Sequence, residues 1–250
     1  MSNDLFNSFN SGSSSTEYNK STGFTGAIPK TFVANVFSYM LAALAITGVV
    51  AYAVGSNESL FASLFLTETG VSPLFWIVSL LPIGLVMLMS FAFNRLSAPV
   101  MLGVYILYSA LMGLSLSSIF LIYTGGSIAM VFFITAGTFG AMAALGYTTN
   151  MDLTKMGSIL TMALIGIVIA SLVNLFMRSE GLDYLISILG VLVFTGLTAY
   201  DMQKIKQMGE QVGTGHELAS KMAIMAGLTL YLDFINLFLF LLRLLGSRNE

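Results

Sequence analysis

Seven long apolar runs follow one another along the chain, at residues 31–54, 74–93, 99–123, 127–147, 157–177, 183–203 and 219–245. Each is close to the ~20 residues a helix needs to cross the hydrocarbon core of a bilayer. The runs are continuous, whereas the strands of a transmembrane barrel alternate apolar and polar residues. The pattern predicts an all-α, polytopic membrane protein with seven transmembrane helices over residues 31–250. Residues 1–30 are different: rich in Ser, Asn, Gly and Thr, with no apolar stretch. They read as a disordered cytoplasmic tail and not as a cleaved signal peptide.

Breaks between the runs carry helix-end chemistry. Ser97-Ala98-Pro99 supplies a capping residue and a first-turn proline for the third span. Gly125-Gly126 predicts a tight link to the fourth, and Asn150, Asp152 and Gly157 separate the fourth from the fifth. Pro82 lies inside the second span, where a kink is expected. Small residues spaced four apart (Ser109, Gly113 and Ser117; Gly137 and Ala141; Gly166 and Ala170) predict close helix packing.

Charge orients the spans. An odd number of crossings puts Lys20, Lys30, Arg95, Lys155, Lys204, Lys206 and Lys221 on the side of the N-terminus, and Arg178, Arg243 and Arg248 on the other. The loop at 55–73 has Glu58 and Glu68 and no base. The basic side is expected to be cytoplasmic, which leaves the C-terminus outside. Only 9% of residues are charged, against about 25% in soluble domains, so the lipid bilayer is the main partner. A net charge of −2 without a basic block argues against nucleic acid. Cysteine is absent, which removes disulfides and thiolate metal sites.

Against this background two carboxylates stand out. Asp233 lies near the middle of the last span, with Thr229 and Asn236 on the same helix face. An ionised carboxylate there costs at least ~2.5 kcal/mol, so it should face the bundle interior or a wet cavity. Asp201 lies near the basic end of the sixth span, one turn after Thr198 and just before Lys204. Straight, level helices would place the two aspartates several ångströms apart in depth, so tilt or a local break is needed to bring them together. If they meet, they cannot both ionise easily, and the pair should share a proton at neutral pH. Deprotonated, it offers hard oxygen ligands suited to calcium. Arg95, at the end of the second span, has two readings: a latch on Asp201, or a basic residue snorkelling to the interface. Asn150 and Asp152 read as turn or cap residues, and Asn174 as an interhelical hydrogen-bond residue.

Nothing points to catalysis or to a bound cofactor. The only histidine, His216, falls in a polar loop over 207–218, and no lysine lies deep in the last span to carry retinal. The pair Tyr200-Asp201 matches half of a membrane aspartyl protease signature, but Asp233 sits in Tyr-Leu-Asp-Phe.

Three stretches carry a family resemblance: Phe194-Thr-Gly-Leu-Thr-Ala-Tyr-Asp201-Met-Gln-Lys-Ile-Lys, Leu228-Thr-Leu-Tyr-Leu-Asp233-Phe-Ile-Asn236-Leu-Phe, and Gly146-Tyr-Thr-Thr-Asn-Met-Asp152-Leu-Thr-Lys-Met-Gly157. The chain resembles bacterial members of the Bax inhibitor-1 family from about residue 30 to its end. The resemblance implies two three-helix layers around a central last helix, in the cell membrane. It implies a pH-sensitive calcium leak, with Asp201 and Asp233 as the proton and calcium site and Arg95 as the latch. Some bacterial relatives instead modulate a membrane protease, which implies a regulatory role without transport as the alternative.

Overall fold

A computed structural model describes residues 27–68, 70–212 and 216–249, with side chains from residue 30 onward. The predicted tail lies, up to residue 26, outside the described residues. Nine helices and one small hairpin are described: α1 (Ala27–Gly55), α2 (Glu58–Phe65), β1 (Leu66–Thr67), β2 (Gly70–Val71), α3 (Pro73–Phe91), α4 (Ala98–Leu116), α5 (Ile119–Ile122), α6 (Gly125–Thr148), α7 (Thr154–Met177), α8 (Glu180–Gln211) and α9 (His216–Leu245). Seven stretches are long and apolar enough to span a membrane, with α4 and α5 together forming the third.

These helices sort into two groups. In the first, α4 packs against α1 and α3; in the second, α8 packs against α6 and α7. Helix α9 lies between them and touches α1, α4, α6 and α8. Protein covers 72% of the apolar core of α9 but only 6% of that of α7. Without water to drive apolar residues inward, outer helices keep Leu, Ile and Phe towards lipid, and close packing decides what is central. Residues Leu230, Tyr231 and Leu237 of α9 are fully enclosed.

The small-residue faces divide. At Gly113 an added Cβ would meet the Thr47 carbonyl oxygen at 2.7 Å, so this face lets α4 lie against α1. Gly137 and Gly166 have open space instead; Ala141 is also exposed, so the first of these expected packing faces is corrected to an exposed one, while in the second only Ala170 packs against the core. A polar link crosses the first interface: Thr47 Oγ1 donates to the Ser109 carbonyl (2.9 Å) and lies 2.8 Å from Tyr231 Oη. The one Thr47 hydroxyl proton is used on Ser109, so Tyr231 is the donor to Thr47.

Several local expectations change. Gly125 and Gly126 form the first turn of α6 rather than a link, and Thr124 is the cap, accepting from Ser127 N. Ser97 takes the cap position of α4 without a side-chain cap bond. The loop after α1 contains a helix capped by Asn57, whose Phe61 and Phe65 are buried, and the β1–β2 hairpin. The expected polar loop at 207–218 is mostly helix, because α8 continues to Gln211, with Gly209 buried and Met208 against the core.

Candidate functional site

Helices α8 and α9 run antiparallel in a register that the aromatic rings reveal. Phe194 of α8 stacks on Phe240 of α9, with ring centroids 5.8 Å apart. Two helical turns further along both helices stand Asp201 and Asp233. Their carboxyl groups are near enough to interact electrostatically. Asp201 is ten residues short of the end of α8 at Gln211, so it is not the helix-end residue that the apolar run implied. Asp233 is buried at 5% exposure, and its Oδ2 has no hydrogen-bond partner.

Two cavities border Asp201. One, of about 320 Å³, opens towards the basic end and is lined by Phe93, Met208 and Met222. The other, of about 730 Å³, runs between α7, α8 and α9 towards the opposite end, reaching Leu175 and Phe240. Asp201, Lys204 and Thr229 border both cavities, whereas Asp233 and Asn236 face only the second. Thr198 and Thr229 donate to the carbonyls of Phe194 and Met225 on their own helices. Asn236 Nδ2 donates to the Leu232 carbonyl (2.8 Å), leaving the amide oxygen as an acceptor.

The segment carrying Asp201 is clamped by the connection between α6 and α7. Gly146 lies against the Ala199 carbonyl, and an added Cβ at Gly157 would sit 2.5 Å from the Tyr200 ring. Gln203 donates Nε2 to the Met151 carbonyl (2.7 Å) and accepts from Leu153 N through Oε1 (2.9 Å). Lys206 Nζ donates to the Tyr147 carbonyl (3.0 Å) at the end of α6, where a cation also favours the helix dipole. Asp152 Oδ1 accepts from Thr154 N (2.9 Å), a turn bond just ahead of α7. The Thr154 hydroxyl, together with that backbone N–H, holds its carboxyl below the usual carboxylate range.

The sequence that builds this site matches a known family. A family model described as "Inhibitor of apoptosis-promoting Bax1" matches residues 29–250. The chain belongs to the Bax inhibitor-1 family. The Escherichia coli K12 inner membrane protein YbhL is 47% identical over 221 residues, 88% of this chain and 93% of its own. A Borreliella burgdorferi protein is 52% identical over 223 residues, 89% and 94% of the two chains. A Rickettsia prowazekii protein is 45% identical over 219 residues. The chain is therefore a multi-pass membrane protein of the Bax inhibitor-1 family, associated with the lipid bilayer.

Within this Bax inhibitor-1 fold, the remaining sequence candidates fall as follows. Arg95 lies in the turn after α3, exposed, and no ion pair with Asp201 is formed; Arg243–Asp183 (3.6 Å) is the ion pair among the described residues. Lys204 is the cation beside Asp201. Asn174 closes the turn between α7 and α8 by accepting from Ser179 N (3.0 Å), which corrects its reading as a bond between packed helix faces. His216 is the exposed first residue of α9. Composition did not single out Gln203 or Lys221. The latter is buried at the start of α9, with Nζ 4.8 Å from the centroid of the Phe93 ring.

Proposed function

We propose that this protein is a passive calcium leak in the cell membrane whose conduction is set by protonation of the Asp201–Asp233 pair. The observation that carries this reading is that Asp201 borders two cavities extending towards opposite ends of the bundle, with Asp233 beside it in the second. Carboxylate oxygens are hard ligands for calcium, and Thr229 and Asn236 offer neutral oxygens nearby. A resident calcium site takes 6–8 oxygen ligands. Among the described residues no cluster of three or more His, Cys, Asp or Glu exists. Two carboxylates suit a transit site, where an ion binds well enough to enter and weakly enough to leave.

Two neighbouring carboxyl groups in a low-dielectric site cannot both ionise easily, so calcium and protons compete for the same oxygens. Arg95, on the cytoplasmic side in this reading, serves as a latch in a further closed arrangement, reaching Asp201 through the turn after α3. The N-terminus is then cytoplasmic and the C-terminus outside, in accord with the lysine-rich end. No part of this role is enzymatic.

The test is calcium entry into dye-loaded proteoliposomes containing only the purified protein. Protein-dependent entry driven by the gradient alone is expected. Folded, inserted protein without entry would sink the leak and favour regulation of a membrane partner such as a protease, which co-purification would then have to reveal.

A further inference from the structure

All three basic residues at the end opposite the lysines, Arg178, Arg243 and Arg248, line one polar cavity of about 470 Å³. They converge from separate parts of the chain: the C-cap of α7, the last turn of α9 and the C-terminal segment. The backbone sets two of them. Arg178 has φ 51°, the one positive value at a non-glycine residue among the described residues, in a position where helices ordinarily use Gly or Asn. Arg248 is paired with Tyr123, flanked by bonds from Thr124 N to the Ser247 carbonyl (3.0 Å) and from Asn249 N to the Ile122 carbonyl (2.9 Å). Glu180 and Asp183 also line the cavity, so three guanidinium groups less two carboxylates leave a charge of +1.

Arg243 Nη1 is 3.6 Å from Asp183 Oδ1, with both side chains half exposed. That is longer than the ~2.7–2.9 Å of a charge-assisted hydrogen bond, so the Arg243 donors are not committed to Asp183. Beside the cavity, Leu175, Phe176 and Met177 expose apolar surface, and Tyr184 of the cavity wall is 62% exposed. An aromatic side chain with one polar end is typical of the membrane–water interface.

We propose that this cavity binds a phosphate oxyanion, supplied by the headgroup of an acidic phospholipid whose acyl chains lie along the exposed face of α7. Guanidinium groups match phosphate oxygens in a planar, bidentate geometry. Asp183, 3.6 Å from Arg243, is the internal competitor for that guanidinium. The site is at the far end of α7, α8 and α9 from Asp201 and Asp233 and does not depend on calcium conduction.

The experiment uses the full chain in maltoside micelles, which carry no phosphate. Phosphatidylglycerol and, separately, inorganic phosphate are titrated, and bound copies are counted by native mass spectrometry. One phosphatidylglycerol per chain is expected. Its affinity should fall about tenfold in Arg243→Gln and in Arg248→Gln, and rise in Asp183→Asn. Arg248→Gln retains the backbone pairing to Tyr123, and thermal unfolding checks that each variant is folded. Binding of the lipid alone identifies the headgroup as the source; binding of free phosphate as well, lost in Arg248→Gln, identifies the oxyanion as the determinant. Lipid binding that both arginine variants leave unchanged, or that Asp183→Asn weakens, overturns the proposal.

Discussion

Gly146 of α6 lies directly against the backbone carbonyl of Ala199 on α8, two residues before Asp201. A backbone carbonyl cannot rotate aside as a side chain can, so Gly146→Ala must push the helices apart. Overpacking of this kind costs about 1–3 kcal/mol, which should appear as a lower unfolding midpoint in detergent. Gly137 on the same helix has nothing near its missing Cβ, and Gly137→Ala should be neutral or stabilise by up to about 1 kcal/mol through the helix backbone. Equal losses in the two variants would contradict the close approach.

Gln203 ties the connection between α6 and α7 to α8 through both ends of its amide. Gln203→Ala leaves Leu153 N and the Met151 carbonyl without that partner. The cost is about 1–3 kcal/mol for each group that water does not reach. Hydrogen exchange at residues 151–153 should accelerate selectively, while exchange in the centre of α9 should not change. Uniform acceleration would instead mean global destabilisation.

The seven spans were legible because lipid demands long, uninterrupted apolar helices, and their ends moved by only a few residues at most positions. The exception is the basic end of α8, where Lys204, Glu210 and Gln211 disguise a continuing helix whose Ile205 and Gly209 are buried. That disguise also made Asp201 look terminal. The meeting of the two aspartates had a signal in the sequence: Phe194 precedes Asp201 by two turns, and Phe240 follows Asp233 by two turns. Antiparallel packing that stacks the phenylalanines therefore aligns the carboxyl groups. Spacing four alone could not tell Gly113, which touches α1, from Gly137, which faces open space, because that difference depends on which neighbour the helix meets. Helix α2 was missed because its apolar pattern is only eight residues long.

Across the first helix group, Tyr231 donates to Thr47, and Thr47 donates to the Ser109 carbonyl. Tyr231→Phe should cost about 1 kcal/mol, the net worth of one hydrogen bond. Thr47→Val should cost more, because it leaves the Tyr231 hydroxyl buried without an acceptor. In a double-mutant cycle the second substitution should add little to Thr47→Val. Additive losses would show that the two hydroxyls do not interact.

Asp152 accepts from Thr154 N outside the spans, and the Thr154 hydroxyl together with this bond holds its carboxyl below the ordinary range. Because the folded value is depressed, the contribution of these bonds is complete above the unfolded value of ~3.9 and is lost as pH falls through the folded value. Asp152→Ala should therefore lower the unfolding midpoint at neutral pH, and the gap to the parent should narrow as pH falls below the unfolded value of ~3.9. A gap independent of pH would show that the charge of Asp152 plays no part.

The central claim is that one shared carboxyl site controls conduction. The measurement that tests it most directly is calcium flux in proteoliposomes between about pH 6 and 8, for the parent, Asp201→Asn, Asp233→Asn and the double variant. The account predicts a pH-dependent flux in the parent, a flattened profile in each single variant, and no further change in the double variant, since either substitution dismantles the pair. A parent pH profile that persists in both single variants would contradict it.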